Sequence, residues 1–112
     1  MPEEYEAMVE ELKNTGIPFA EDGWSTSPEG EYGVISLEFE AGALDGDDRK
    51  TMRAWEGSID VFYRQKSRRA AILAAVEDVL DEICGASWHL ESHQHEDETG
   101  LYHAEWVYQV EE

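Results

Sequence analysis

Residues 55–63 read Trp-Glu-Gly-Ser-Ile-Asp-Val-Phe-Tyr, and residues 67–84 read Ser-Arg-Arg-Ala-Ala-Ile-Leu-Ala-Ala-Val-Glu-Asp-Val-Leu-Asp-Glu-Ile-Cys. In the first segment large apolar residues alternate with polar ones, which predicts a strand with one buried face. In the second, the apolar residues between Ile72 and Ile83 recur every three or four positions, which predicts an amphipathic helix. Ser67 is placed to cap the start of this helix, and Gly85 is placed to end it in a left-handed conformation.

The same two periodicities predict the remaining elements. Residues 3–14 have the spacing of a helix, while residues 32–40, 88–92 and 102–110 alternate as strands do. Residues 17–20 are predicted to form only a short edge strand, since their proline lacks the donor that a central strand needs. The intervening segments 21–31, 41–50 and 94–100 are polar or rich in glycine, as loops are. The chain is therefore expected to be a single α+β domain, residues 1–112, with an antiparallel sheet of about four to five strands and two helices packed on one face.

The charge of the chain is far from balanced. It has 27 acidic and 8 basic residues among 112, for a net charge of −19. Adventitious contact with DNA or anionic lipid is disfavoured over most of such a surface. A salt-adapted source or a very soluble acidic domain would explain the same composition. No apolar run is long enough to span a bilayer and the N-terminus is acidic, so neither export nor a membrane partner is expected. The single Cys84 is expected to be a buried small hydrophobic residue.

Few residues have the types and spacing that catalysis or metal binding requires. Asp45, Asp47 and Asp48 resemble a calcium loop in composition, but the position of its terminal glutamate falls inside the predicted 55–63 strand. His93 and His95 would share one face of a strand and could chelate a metal ion, although no third ligand from a fixed element is evident. We therefore expect no catalytic, cofactor-binding or metal site, and a protein that is not an enzyme.

The basic residues are concentrated in one short segment. Seven of the eight lie within residues 49–69, which carry a net charge of +5 because that segment has only two acids. They form two groups at opposite ends of the 55–63 strand, about 35 Å apart at ~3.3 Å per strand residue. Two separated basic ends on an acidic body suit head-to-tail contact with further copies of the chain, although neutralisation of the chain's own acids would also explain them. The expected subunit-interface residues are Arg49, Lys50, Arg53, Arg64, Lys66, Arg68 and Arg69.

Trp24 lies in the polar segment 21–31 and is also included among the candidate interface residues. An exposed tryptophan in such a loop is a candidate contact, while folding back onto its own domain is the more usual outcome.

Three stretches, in this order of elements, resemble the small tail-terminator (tail-completion) proteins of long-tailed bacteriophages. The first is Gly16-Ile-Pro-Phe19 after an N-terminal helix. The second is Gly57-Ser-Ile-Asp-Val-Phe-Tyr63, leading into a helix that ends Val79-Leu-Asp-Glu-Ile83. The third is the closing hairpin, Trp88-His-Leu-Glu-Ser92 with Leu101-Tyr-His-Ala-Glu-Trp-Val-Tyr108.

The resemblance implies an α+β structural protein that forms a hexameric ring, caps the tail tube and joins the tail to the head connector. It implies no enzymatic activity and no cofactor. The partners would be other copies of the chain, the tail tube protein and the head connector proteins, with genomic DNA passing through without specific binding. The protein would reside in the neck region of the virion tail, and in the host cytoplasm during assembly. By position, the 41–50 loop and the two basic ends would make the subunit contacts.

The resemblance also suggests a role for the acidity, because a negative ring lumen would repel the phosphates of a passing genome. Two alternatives stay open at this point. One is another head–tail joining protein, such as a stopper or adaptor. The other is a small acidic cytosolic binding or regulatory domain that dimerises through an exposed sheet edge.

Overall fold

The computed structural model describes residues 2–43 and 53–111, with side chains for all of these except residues 39–43 and 53. Two helices, five strands and one 3-10 turn make up the described part of the chain. In chain order they are α1 Glu3–Lys13, β1 Phe19–Glu21, β2 Tyr32–Ala43, β3 Arg53–Tyr63, the 3-10 turn Lys66–Arg68, α2 Arg69–Cys84, β4 Trp88–His95 and β5 Tyr102–Glu111. The predicted α+β class is confirmed.

The five strands form one sheet in the order β1-β2-β3-β5-β4. The sheet is mixed, because β1 runs parallel to β2 while every other neighbouring pair is antiparallel. The predicted edge strand at residues 17–20 is confirmed as β1, which begins two residues later, at Phe19. Pro18 lies just before this strand, where its carbonyl oxygen accepts a hydrogen bond from the Gly33 amide at 2.7 Å.

Both helices cover the same face of the sheet. The alternating apolar residues of β3 and β5 point towards them, and Trp106, Tyr108 and Ile59 are fully buried. From the helices, α1 contributes Tyr5, Met8, Val9 and Leu12, and α2 contributes Ile72, Val76, Val79 and Leu80. The period-two and helical patterns therefore identified the core correctly.

The start of α2 differs from the prediction. Ser67 does not cap the helix, because it lies inside the 3-10 turn, and Arg68 occupies the cap position without a side-chain cap hydrogen bond. Tight 3-10 turns are common at helix starts and move the first α-helical residue along the chain. The predicted end is confirmed in position, since Gly85 follows α2 with a positive φ of 58°, although its ψ of −117° lies outside the left-handed helical region.

Two predicted loops are shorter than expected. Strand β2 continues to Ala43, so the first residues of the predicted 41–50 loop are strand, while the rest of that loop lies outside the described residues. Strand β4 continues to His95, so the predicted 94–100 loop begins only after it.

The extended β4 contains a bulge. The pairing with β5 shifts between Leu90 and Ser92, so that Leu90 lies opposite Trp106 while Ser92 lies opposite Glu105. The extra residue reverses the alternation of the strand beyond this point. Strict alternation along β4 would place His93 on the other face of the sheet from Trp88 and Leu90. Because of the bulge, His93 lies on the same face as these two residues.

No helix within the described ranges is long and apolar enough to cross a membrane.

Candidate functional site

The basic turn between β3 and α2 is the most exposed part of the predicted interface set among the side chains that the structure describes. We use this name for residues 64–69, all of which are exposed. Arg68 forms a two-pronged ion pair with Glu31, its Nε and one terminal nitrogen donating to the two carboxylate oxygens at 2.9 and 2.8 Å. Arg64 Nε donates to the carbonyl oxygen of Glu29 at 3.0 Å. These contacts hold the turn against the loop that precedes β2.

The ion pair changes the acidity of its carboxylate. The hydrogen bond from Arg68 lowers the pKa of Glu31, although partial burial works in the opposite direction. Glu31 is therefore held in its charged form, and two of the four cations of the basic turn are used within the chain.

The other two cations of the turn make no such contact with the described side chains. Among the described side chains, no carboxylate oxygen lies within 4.0 Å of Lys66 or Arg69. Arg69 is the first residue of α2, where the helix dipole already places partial positive charge. A cation there is electrostatically unfavourable unless an anion approaches it.

The remaining predicted contact residues are differently placed. Arg49 and Lys50 lie outside the described residues. Arg53 is the first residue of β3, at the opposite end of the strand from Arg64, as predicted. Trp24 is half-buried, donates its indole N–H to the Gly33 carbonyl oxygen at 3.0 Å and lies edge-on to Tyr32. It folds back onto its own domain.

A second surface is the face of the sheet that points away from the helices, which we call the open face. Its charged groups on the three central strands are carboxylates, and the described side chains of these strands contribute no lysine or arginine to it. These carboxylates belong to Glu38 of β2, Glu56 and Asp60 of β3, and Glu105 of β5. Burial and the neighbouring Asp60 raise the pKa of Glu105. The like charges are close enough to disfavour one another.

One histidine is placed among these acids. His103 Nε2 donates to Asp60 Oδ1 at 2.7 Å, and both side chains are about three-quarters buried. This hydrogen bond raises the pKa of His103 despite the burial. The ring also stacks on Phe62, which in turn stacks on Tyr32, with centroid separations of 4.2 and 5.1 Å. The stacked rings of Tyr32, Phe62 and His103 thus end at Asp60. When His103 is protonated, its positive charge neutralises the carboxylate of Asp60 on the open face.

The histidine pair predicted from the sequence lies on the other side of the sheet. His93 and His95 face Ala104 and Tyr102 across β4–β5 and share one side, as expected. His93 Nε2 is hydrogen bonded to the Tyr63 hydroxyl at 2.5 Å, and burial lowers its pKa, with Arg69 adding to the effect. In the described part of the chain, no group of three potential ligands is arranged to hold a metal ion.

Cys84, at the end of α2, is half-buried. Burial raises the pKa of its thiol to about 12, so that the sulfur stays protonated and unreactive at neutral pH.

The Asp60–His103 pair was not found by reading the sequence. The two residues are 43 positions apart, and only the β3–β5 register brings them close together. The only signal in the sequence was that both residues fall at polar positions of alternating strands, and many other residues of the chain do so too.

Comparison with known proteins gives a match in structure but none in sequence. No family model and no curated protein matches the sequence. Among solved structures, a chain from the virion of a native gene transfer agent particle superposes with a TM-score of 0.59 at 16% sequence identity. The alignment covers 98% of this chain and 93% of that chain. The complete α+β arrangement described above is therefore shared with a chain found in a virion particle.

Proposed function

We propose that the chain is a structural protein of a phage-like virion, of the tail-terminator type. The observation that carries this proposal is the match to the virion chain over almost the full length of both proteins. Such coverage means that the likeness extends over the whole domain described above and is not confined to one motif. The resemblance of the three sequence stretches to tail-terminator proteins supports the narrower assignment.

In this role the chain forms a ring that ends the tail tube and joins the tail to the head connector. The surface charges suit a heterologous ring, in which one surface of each subunit contacts a different surface of the next. The cations Lys66 and Arg69 project from one end of β3 on a domain with a net charge of −19. Each subunit therefore presents both a basic and an acidic surface to its neighbours.

The open face is the part of the domain that we assign to the lumen of this ring. Its described charges are mainly carboxylates, which would repel the phosphates of DNA moving through the channel. A ring structure with a neutral or basic lumen would contradict this assignment.

The experiment that tests the proposed function is deletion of the gene from the element that encodes it, followed by electron microscopy of the particles. Loss of a tail terminator should give tails of uncontrolled length, separate from heads, because tube polymerisation is no longer stopped. Tails of normal length that are detached from heads would instead indicate a stopper or adaptor. Normal particles would exclude a structural role and favour the regulatory alternative.

The mass of the purified protein in solution gives a second test. Light scattering at low salt should show a hexamer of the 12.8 kDa chain, alone or on addition of the tail tube protein of the same virion. A stable dimer that is unaffected by tube protein would contradict the ring.

A further inference from the structure

A groove runs along the outer side of α1, where this helix meets the edge strand β1. Its volume is about 490 Å³, compared with about 220 Å³ for the concavity beside Trp88 and about 160 Å³ for one beside Cys84. The side chains of Tyr5 and Val9, which are both mostly buried, form the apolar floor of this groove. The lining residues are Tyr5, Glu6, Val9, Glu10, Lys13, Asn14 and Glu21.

Three carboxylates surround this floor. Glu6 and Glu10 are one helical turn apart on α1 and both are exposed, so their charges point along the same side of the groove. Glu21 closes the opposite side from β1, where one of its carboxylate oxygens accepts a hydrogen bond from the Tyr5 hydroxyl at 2.8 Å. Burial and this contact raise the pKa of Tyr5, so the phenol stays neutral and adds no charge. The groove is therefore acidic, with Lys13 and Asn14 at one end.

The basic turn has the complementary charge and is already held in shape. The Arg68–Glu31 pair and the contact from Arg64 to the Glu29 carbonyl fix the turn on the preceding loop. Lys66 and Arg69 then project as two cations on a rigid support. Binding by a preorganised element loses less conformational freedom than binding by a flexible one.

We propose that the acidic groove between α1 and β1 binds the basic turn of a second copy of this chain, with Lys66 and Arg69 meeting Glu6, Glu10 and Glu21. This inference rests on the proposed function, because it assigns the contact by which ring subunits join. The groove lies at one edge of the sheet, and the turn lies where β3 ends. The contact is therefore between two different surfaces, which is the type that closes into rings. It also places an anion beside Arg69, whose position at a helix N-terminus is otherwise unfavourable.

Charge-reversed pairs of variants test this contact. The turn variant carries K66E and R69E, and the groove variant carries E6K and E10K. Each alone should weaken self-association by roughly tenfold or more, since like charges then face each other at every contact. When the two variants are mixed, the reversed turn of one faces the reversed groove of the other, and the two unchanged surfaces also match. Assembly should therefore return, as alternating copies, and sedimentation or light scattering measures it directly.

Two further chains serve as controls. The four substitutions combined in one chain restore the net charge of −19 and should restore assembly without a partner. D97K with E98K adds the same charge as the groove variant, but at the exposed β4–β5 hairpin tip, and should leave assembly unchanged. Circular dichroism of each chain confirms that it is folded before its mass is compared.

Each outcome decides the inference. Loss in the two variants with recovery on mixing supports it. Equal assembly of the wild-type chain and both variants overturns it, as does a wild-type chain that remains monomeric at low salt at every concentration, both alone and with the tail tube protein. Those two results leave the gene-deletion experiment unaffected, so the proposed function and the docking contact can fail separately.

Discussion

The two sides of β5 differ both in burial and in charge. On the helix side, Ala104, Trp106 and Tyr108 are fully buried, while on the open face His103 and Glu105 are only partly buried and are ionisable. Because successive residues of a strand point to opposite faces, one ten-residue segment carries both properties. The helix side determines whether the domain folds. The open face is available for charge, and it can be altered without rearranging the core.

Removing Trp106 should give the largest effect. Its indole is fully buried and donates to Glu77 Oε2 at 2.9 Å. Trp106→Ala should lower the free energy of unfolding by ~3–5 kcal/mol, since it leaves a cavity and deprives Glu77 of its donor. Urea unfolding measures the change. The matched control is Val107→Ala, on the half-exposed open face next in sequence, with an expected loss below about 1 kcal/mol. Similar losses at both positions would contradict the contrast between the two faces.

The helix side was largely predictable from the sequence, for a physical reason. Burial requires apolar residues at fixed spacing, and the spacing itself distinguishes strand from helix. Trp106 and Tyr108 were recognised in this way, as was the stripe of α2 that covers them. The bulge in β4 was not predictable, because a single extra residue leaves no mark in a short polar strand. Its consequence was to move His93 to the helix side, beside Tyr63.

The second prediction concerns a close approach across the sheet. A Cβ added at Gly57 would lie 2.1 Å from the Ser36 carbonyl oxygen and 2.5 Å from the Tyr108 hydroxyl, which donates to that same oxygen. Gly57→Ala should therefore displace Tyr108 and lower the free energy of unfolding by about 1–3 kcal/mol. Gly30→Ala is the control, since nothing lies within 4 Å of its added Cβ. Thermal melting compares the two, and an unchanged melting temperature for Gly57→Ala would show that β2 and β3 are further apart than described.

The third prediction uses one histidine from each face. His103 is paired with Asp60 on the open face and has a raised pKa, while His93 is partly buried beside Tyr63 on the helix side and has a lowered one. NMR titration should therefore show His103 losing its proton above, and His93 below, the ordinary value of about 6.5. Asp60→Asn should bring the pKa of His103 down, because the burial that remains favours the neutral ring.

The two shifts have opposite consequences for stability. The contribution of His103 is complete below the ordinary pKa and is lost as the pH rises through its raised value. The contribution of His93 is present above the ordinary pKa and is lost as the pH falls through its lowered value. As the pH rises across this window, the free energy of unfolding should therefore increase in a His103→Gln chain, which keeps only the contribution of His93. It should decrease in a His93→Gln chain, which keeps only the contribution of His103. The reverse order of the two titrations would contradict the assignment of the faces.

The candidate site was less predictable than the core. The concentration of cations in residues 49–69 was visible in the sequence, but their partners were not. Glu31 is 37 residues from Arg68, and sequence alone does not distinguish a cation that is paired within its own chain from one that projects. The acidic groove was also not predictable, since in a chain with 27 acids the clustering of Glu6, Glu10 and Glu21 depends on where α1 meets β1.

The smallest effect is expected at the basic turn, where the comparison is between two adjacent arginines. Arg68→Gln removes the pair with Glu31, which is exposed to solvent and therefore contributes little to global stability. What it should change is local: hydrogen exchange in the loop before β2 should become faster, because the turn no longer holds that loop. Arg69, one residue further on, touches no described carboxylate. Arg69→Gln should therefore leave hydrogen exchange in the loop unchanged, while it weakens self-association. If Arg69→Gln also released the loop, or if Arg68→Gln left it protected, the division of the turn into a holding and a projecting arginine would be wrong.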